Sequence, residues 1–490
     1  MHFVIGKSVS AIGGFFAMLL VVHGLSIGDF AKYSVLVALV EVFTAVSSLG
    51  LSHVILRYVP ELYASYQASA LRSVILLTFG FRSIVLVSAL GIAWFLSNIV
   101  SSWVGLGGAV LAFEAFLVVV AFRSTNQFLS QILESTLHQG IAQAAFSAIA
   151  IGRCIGMLWL LNTDSTSLID VIWLEALCEV IATAIMLAGI FFVLWATHSH
   201  GDVVAEDDWH KTNRSQLIKF ATSAYLQHLA TLPFGGNTNR LVGGAMFSDQ
   251  LMARFGFAQS LYEYIKRYLP TQLLVGLIRP IVVARYTTTR NFSAAADLCE
   301  QSLQVNFVLL AGILSVLLVV GRELLMFISS GKYGASGISV MILCVLLVFL
   351  VLETQRLVLE VLAQTVDHYE IMIPSNAFLS LSVLGAIAAF PVMGAVAFPI
   401  ANTLALLLAN FWVIHRLASM GFHYQHDWRG TFESLLILAL SAGLGEFSQY
   451  AGAHWLVALA ITMGVFTLLF MKIKFPSAMR FARELIGKKP

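Results

Sequence analysis

The sequence predicts an all-α protein that crosses a membrane about fourteen times. Of its 490 residues, 59% are hydrophobic and only 11% are charged, whereas a soluble domain carries roughly 25% charged residues. A chain with so few charges exposes most of its surface to hydrocarbon rather than to water. No polar stretch is long enough to form a soluble domain, and a net charge of +2 gives no indication of nucleic acid as a partner.

Fourteen apolar stretches come close to the roughly 20 residues that a membrane-spanning helix needs. The predicted spans are 3–22, 33–56, 73–96, 104–122, 140–161, 170–195, 217–236, 253–279, 304–320, 337–358, 371–390, 392–414, 433–450 and 454–472. The first, seventh and eighth are the most polar. The first span lacks a small-residue cleavage site, so we interpret it as a retained helix rather than a signal peptide.

The Lys and Arg residues favour one side of the membrane. If the N-terminus lies inside, 19 of the 28 fall in inner loops or at inner helix ends, including Arg123, and five fall on the outer side. Positively charged loops stay in the cytoplasm. The bias therefore predicts a multi-pass membrane protein with an even number of spans and both termini cytoplasmic.

The second and eighth spans repeat one charge pattern at an offset of 222 residues. In each span a basic residue comes first, a Glu follows nine residues later, and an Arg closes the span after sixteen more. The matched pairs are Lys32 and Arg254, Glu41 and Glu263, and Arg57 and Arg279. Since transporters are often built from two related halves, the repeat predicts two six-helix lobes. They cover residues 1–196 and 217–415, with a cytoplasmic linker over 197–216 and two further helices with a basic tail over 416–490.

Three short segments near the N-terminus resemble the opening signature of Wzx-like polysaccharide flippases. They are 28–34 (GDFAKYS), 47–51 (SSLGL) and 57–61 (RYVPE), and 327–333 (FISSGKY) resembles the second-half counterpart of that signature. These flippases belong to the multidrug/oligosaccharidyl-lipid/polysaccharide exporter superfamily. The resemblance implies a V-shaped pair of lobes around a central cavity, alternating access, and a pyrophosphate-bearing substrate that meets cationic cavity residues.

The implied substrate is an undecaprenyl-pyrophosphate-linked oligosaccharide, moved from the inner to the outer face of the membrane for O-antigen, capsule or exopolysaccharide synthesis. Membrane lipid, a polysaccharide polymerase and a chain-length regulator are the expected partners. No cofactor is expected, and coupling to an H+ or Na+ gradient is left open.

Lys266 and Arg267 are the first candidates for substrate binding. They lie near the middle of the predicted eighth span, directly before Pro270. A charge in the bilayer core is costly and usually faces a cavity or a partner, so two adjacent cations beside a proline kink would suit a pyrophosphate. Tyr262 and Tyr268 could stack on sugar rings. The alternative is that Glu263, one turn away, neutralises either cation.

Four other arginines complete the basic set. Arg153 and Arg82 lie inside the predicted fifth and third spans, where each could line a cavity, although Arg82 could also extend to the inner surface. Arg57 and Arg279 close the two repeated spans, where they act as inner anchors or form a substrate entry point.

The acidic residues inside spans are candidates for ion coupling. Glu41 and Glu263 could titrate or hold a cation, or could pair with a buried basic residue. Glu175 and Glu179 are one helical turn apart, so either both are buried and repel each other or they lie harmlessly near the outer interface.

Two other functions remain open. A cation-coupled multidrug exporter of the same superfamily would favour acids over cations, and a membrane-embedded glycan ligase would need a large polar loop with grouped charges. The sequence contains no Walker A, HExxH, GxSxG or strand-linked GxGxxG motif, which favours transport over catalysis.

Overall fold

The computed structural model describes residues 2–65, 67–163, 166–198, 214–269, 282–283, 286, 288–334, 336–366, 368–476 and 479. Within these residues the chain is helical and contains no strand. The predicted all-α class is therefore confirmed.

The chain forms two compact units, Met1–Gly256 and Phe257–Pro490. The helices of the first unit are α1 (His2–Gly24), α2 (Ile27–Ser48), α3 (Leu51–Ala64), α4 (Ala68–Phe95), α5 (Ser97–Trp103), α6 (Val110–Ser135), α7 (Gln139–Leu161), α8 (Leu168–His198), α9 (Arg214–Thr231) and α10 (Gly236–Met246). The boundary between the units lies within α11 (Asp249–Tyr268). The lobes predicted from the repeat are a different division of the chain and stay a prediction.

The described residues of the second unit form the end of α11 and seven further helices. They are α12 (Phe292–Ile328), α13 (Ile338–Thr365), α14 (Met372–Ser380), α15 (Ser382–Met393), α16 (Ala397–Ser419), α17 (Trp428–Tyr450) and α18 (Trp455–Leu469). The main core forms where α12, α13 and α16 pack together, and α17 and α18 pack against α12 and each other.

Eleven stretches of the described chain are long and apolar enough to cross a membrane. One of them, Met372–Ser419, has 48 residues, and a turn at Gly394 with φ of 59° interrupts it. Because a span uses about 20 residues, this stretch accounts for two predicted spans. The predicted seventh and eighth spans correspond to α9 with α10 and to α11, which are more polar. The protein is therefore a multi-pass membrane protein with about fourteen spans.

The predicted second span is two helices rather than one. Leu49 and Gly50 both have positive φ, 46° and 74°, and this turn ends α2 and begins α3. A Cβ added at Gly50 would lie 2.0 Å from the carbonyl oxygen of Ala221 in α9. The prediction of one continuous helix over 33–56 was wrong because hydropathy records apolar length but not a glycine that lets another backbone approach.

The first span packs closely against the fifth. A Cβ at Gly13 of α1 would lie 3.1 Å from the Cβ of Ala150 in α7. At this short separation Ser147 Oγ donates to the carbonyl of Gly6 at 3.0 Å, and Cys154 Sγ donates to the carbonyl of Gly13 at 3.1 Å. Small residues at a helix interface permit this approach, as is common in membranes.

The start of the two repeated helices agrees with the 222-residue offset. Helix α2 begins at Ile27 and α11 at Asp249. Ser26 Oγ accepts a hydrogen bond from the backbone N–H of Asp29 at 3.0 Å, and Ser248 Oγ accepts one from Leu251 N–H at 3.4 Å. Both helices therefore begin with the same serine cap.

We expect Gly50→Ala to lower the free energy of unfolding by more than about 2 kcal/mol, because a left-handed backbone and a clash with α9 both oppose the added methyl group. Thermal unfolding of the purified protein in detergent measures this change. Gly91→Ala in α4 is the matched control, since no atom lies within 4 Å of its added Cβ. Equal melting temperatures for the two variants would contradict the assigned role of Gly50.

Candidate functional site

Two buried glutamates of α8 organise a charged cluster inside the first unit. Glu175 is 1% exposed and Glu179 is 3% exposed. Their neighbours are Arg123 from α6, Arg153 from α7 and Tyr33 from α2. We call these five residues the Glu175 cluster, and all of them lie within membrane-spanning helices.

Glu175 is shared between two arginines. Arg153 forms an ion pair with Glu175 Oε1 and donates from Nη2 to the Tyr33 hydroxyl at 2.9 Å, and that hydroxyl donates to Glu175 Oε1. Arg123 Nη2 donates to Glu175 Oε2 at 2.9 Å, and Arg123 Nε donates to Glu179 Oε1 at 2.6 Å. Charge-assisted bonds of this kind are the strong ones.

An amide and a hydroxyl fix Glu179 from its other side. Asn126 Nδ2 donates to Glu179 Oε2 at 2.9 Å and to the Glu179 carbonyl at 3.0 Å. Thr183 Oγ1 donates to Asn126 Oδ1 at 2.8 Å. The carboxylates are thus oriented by protein groups, as buried charges require. Both acids are buried, as one of the two predicted alternatives requires, and Arg123 lies between them and offsets the expected repulsion.

The arginines of the cluster are more accessible than its carboxylates. The Arg123 side chain is 16% exposed and that of Arg153 is 20% exposed. The Nε of Arg153 is buried and has no hydrogen-bond partner among the described residues. A buried donor without a partner is rare in proteins. The accessible part of the cluster is therefore its two guanidinium groups rather than its carboxylates.

Arg82 lies apart from these contacts, between α4 and α6. It is 1% exposed. Its Nη2 donates to the carbonyl of Ser124 at 2.9 Å and to the Ser124 hydroxyl at 2.7 Å, and its guanidinium lies 4.8 Å from the Phe128 ring centre. The interpretation that Arg82 extends to the inner surface was wrong, because its side chain is bound to the next helix.

In the second unit, Lys266 pairs with a glutamate of α13. Lys266 Nζ lies 2.7 Å from Glu353 Oε1, and the Tyr262 hydroxyl donates to Glu353 Oε2 at 2.6 Å. Glu263 instead accepts a hydrogen bond from Gln259 at 3.2 Å. The expected neutralisation of Lys266 by Glu263 was therefore wrong, since a partner on another helix takes that place.

Lys266 and Arg267 lie in the last turn of α11, which ends at Tyr268. Cations are favourable at this end of a helix. Arg267 is exposed, with its guanidinium 5.8 Å from the Tyr264 ring centre, and Tyr268 is half-buried beside it. Pro270 and Arg279 lie outside the described residues.

Two candidates from the repeat have contrasting surroundings. Arg57 is exposed, and its guanidinium lies 5.6 Å from the Tyr58 ring centre and 5.5 Å from that of Phe220 in α9. Glu41 is half-buried in α2, and no described residue forms a hydrogen bond or an ion pair with its carboxylate. Glu41 therefore remains a candidate for holding a cation or a proton.

Sequence reasoning assigned Arg123 to an inner helix end, and it counted Glu353 among the acids inside spans without a partner. The predicted fourth span stopped at residue 122, whereas α6 continues to Ser135, which places Arg123 near its middle. The one signal that could have found the cluster is the spacing of Glu175 and Glu179, since two acids one turn apart inside a span require cationic partners.

A further set of buried polar contacts attaches the C-terminal helices within the second unit. The Tyr424 hydroxyl donates to Glu300 of α12, and the backbone N–H of Asp427 donates to the same carboxylate at 3.1 Å. Burial and the neighbouring carboxylate hold the pKa of Tyr424 well above its ordinary value, so the hydroxyl remains a donor. Lys474 donates to the Gly430 carbonyl at 2.6 Å. These bonds hold the start of α17 against its neighbours and are structural.

No protein-family model and no curated protein sequence matches the chain. Among solved structures it is similar to the lipid II flippase MurJ in its inward closed conformation, with a TM-score of 0.66 and 13% identity over 99% of each chain. It is also similar to an inward-facing multidrug resistance MATE family transporter of the MOP superfamily, with a TM-score of 0.65 and 14% identity over 86% of this chain and 99% of that one. The MATE transporter VcmN of Vibrio cholerae in its bent form has a TM-score of 0.55 and 12% identity, covering 90% of this chain and 97% of its own.

The chain thus has the fold shared by transporters of the multidrug/oligosaccharidyl-lipid/polysaccharide exporter (MOP) superfamily. Because it covers 99% of the chain, the similarity to MurJ includes the two C-terminal helices.

We expect Glu175→Gln to lower the free energy of unfolding by about 3 kcal/mol, because it leaves Arg153 within membrane-spanning helices without its carboxylate partner. Thermal unfolding in detergent measures this loss. The double variant Glu175→Gln/Arg153→Gln should be less destabilised than the single variant. Glu61→Gln, at an exposed position of α3, is the control and should melt as the wild type does. A Glu175→Gln protein as stable as that control would show that the cluster does not support the fold.

Proposed function

We propose that the chain is a flippase for undecaprenyl-pyrophosphate-linked oligosaccharide, moving it from the inner to the outer face of the bacterial cytoplasmic membrane by alternating access. Polysaccharide biosynthesis would use the product, through a polymerase and a chain-length regulator. The Glu175 cluster is the observation that carries this proposal. It places two guanidinium groups inside membrane-spanning helices, with their carboxylate partners buried and the guanidinium groups themselves partly exposed.

The chemistry of arginine fits a pyrophosphate. A guanidinium is planar, stays charged, and offers parallel N–H donors that match phosphate oxygens. Arg153 uses Nη2 for Tyr33 and Glu175, while its buried Nε has no partner among the described residues. Charges kept within membrane segments are costly and mark substrate or ion pathways. An anionic head group is the ligand that partly exposed arginines favour.

Lys266 and Arg267 supply further positive charge in the second unit. Lys266 is 30% exposed although it is paired with Glu353, and Arg267 is exposed. Tyr262 and Tyr268 flank them in the same helix. The similarity in fold to a protein named as a lipid II flippase supports the proposal of a flippase, since that similarity includes the two C-terminal helices.

We expect undecaprenyl pyrophosphate to raise the melting temperature of the detergent-purified protein, and undecaprenyl alcohol to have no such effect. Arg153→Lys keeps the charge beside Glu175 but loses the planar fork, and should weaken binding about tenfold. The double variant Lys266→Gln/Arg267→Gln should weaken binding further and abolish polysaccharide export in cells. Arg416→Gln, exposed in the last turn of α16, is the matched control. Equal stabilisation of the wild type by both lipids would contradict the claim that the protein recognises the pyrophosphate.

A cation-coupled multidrug exporter is the second candidate function, and Glu41 is the observation that favours it. Its carboxylate is half-buried in α2 and unpaired among the described residues, as an H+ or Na+ site would require. Two of the similar structures described above are named as MATE transporters. Coupling through Glu41 is also compatible with a flippase. The two functions therefore differ in the substrate that is transported, and a test must compare substrates.

If the chain exports drugs, its expression in a sensitised bacterial strain should raise resistance to cationic drugs, and Glu41→Gln should remove that resistance. Since we favour the flippase, we expect expression of the wild-type chain to leave drug resistance unchanged, because Lys266 and Arg267 repel cationic drugs. In a polysaccharide export assay, Glu41→Gln should instead reduce export at unchanged protein level. Resistance above the empty-vector control would favour the exporter.

A further inference from the structure

A groove of about 600 Å³ lies inside the first unit between α3, α4 and α9. Its floor contains Val54 and Val74, each 2% exposed, and Ala221, which is 9% exposed. The Thr78 hydroxyl in the wall donates to the carbonyl of Val74 at 2.7 Å within its own helix, so it needs no ligand. The floor is therefore apolar and already satisfied in its hydrogen bonds.

The rim of the groove is open and apolar. Leu77, Phe81 and Ile218 line it, and each is 55% exposed. Helix α4, which carries two of these residues, is a candidate membrane span. Exposed apolar side chains on a membrane-spanning helix are expected to face hydrocarbon, from which an alkyl chain can enter the groove without crossing water.

Positive charge is present at the groove and on the helices that form it. Arg214 lines the groove directly, and Arg57, Arg72 and Lys219 are exposed elsewhere on the same three helices. Glu61 is the single acidic residue in the described sequences of α3, α4 and α9. By the bias of Lys and Arg these residues are expected on the cytoplasmic side, whose leaflet is rich in anionic lipids.

We propose that this groove binds one acyl chain of an anionic phospholipid, with the lipid phosphate held by Arg214. This site is separate from the flippase function proposed above. A membrane-spanning helix about 10 Å wide and 30 Å long displaces more than roughly 2,000 Å³, which is far larger than the groove. A single alkyl chain suits the volume, the apolar floor favours burial of its methylene groups, and the surrounding charge selects an anionic head group.

The bound lipid would fill a gap beside a small helix contact. Helix α9 meets α3 through Leu217, Phe220 and Ala221, which pack against Val54 and Tyr58. This apolar cluster is small, and α9 itself is too polar to be among the candidate membrane spans. Leu217 and Ala221 also line the groove. A chain in the groove therefore extends this contact with further apolar surface, so the lipid should hold α9 against α3 and α4.

Native mass spectrometry of the full-length protein, titrated with phosphatidylglycerol in detergent, tests the proposal. Phosphatidylcholine of the same acyl composition and undecaprenyl phosphate are titrated in parallel. Ile218→Trp places a large ring in the groove mouth, and Arg214→Gln removes the cation. The controls are Leu226→Trp, at another exposed position of α9, and Arg416→Gln in the second unit.

We expect one tightly retained phosphatidylglycerol in the wild type and in both controls. Arg214→Gln should weaken its binding about fivefold, and Ile218→Trp should abolish it. Equal retention by Ile218→Trp and Leu226→Trp would overturn the site. Equal retention of phosphatidylcholine, or preferred retention of undecaprenyl phosphate that Ile218→Trp abolishes, would overturn the anionic phospholipid as occupant.

A folding defect is separated from a binding defect by the melting temperature. Ile218→Trp should melt as the lipid-free wild type does, and only the wild type and the controls should gain stability when phosphatidylglycerol is added. A stabilisation that is identical in Ile218→Trp and in the wild type would place the lipid effect elsewhere on the protein.

Discussion

The ion pairs of Glu175 are the interaction on which the membrane-embedded part of the first unit depends. A carboxylate at 1% exposure inside hydrocarbon would be prohibitively costly without cationic partners. Arg123 and Arg153 meet that requirement from two other helices, and Tyr33 adds a fourth helix. One carboxylate therefore fixes the relative placement of α2, α6, α7 and α8, which the weak amphipathicity of apolar helices could not do.

The turn at Leu49 and Gly50 is the second constraint, and it acts through the backbone. Because two successive residues take positive φ, α2 stops and α3 continues in a new direction past α9. Only a residue without a Cβ lets the Ala221 carbonyl come so near. The SSLGL segment is thus explained by the path of the chain. The same break puts α3 beside α4 and α9, where the groove opens.

Hydropathy was sufficient to predict most of the fold, because a membrane-spanning helix can be recognised from the length of its apolar stretch alone. It was insufficient wherever a charge or a turn lies inside a helix. The predicted fourth span ended before Arg123, since a hydropathy window treats a cation as an end, whereas the structure pairs it. The sequence identified Lys266 as a candidate site residue, but its partner Glu353 lies 87 residues away along the chain. No spacing rule predicts a pair between distant helices, so the candidate site was only partly visible in one dimension.

The two units treat charge in the membrane in different ways, and the difference bears on what a ligand can meet. In the Glu175 cluster two arginines balance two glutamates, so the fixed charge is neutral and an anion interacts mainly with directed N–H donors. In the last turn of α11, Lys266 is balanced by Glu353, while Arg267 is exposed and forms no ion pair among the described residues. A neutral cluster of paired side chains provides geometry and selectivity with little long-range attraction. An exposed cation provides attraction with little geometry. The described residues therefore place directed N–H donors and an exposed positive charge on separate helices rather than in one residue pair.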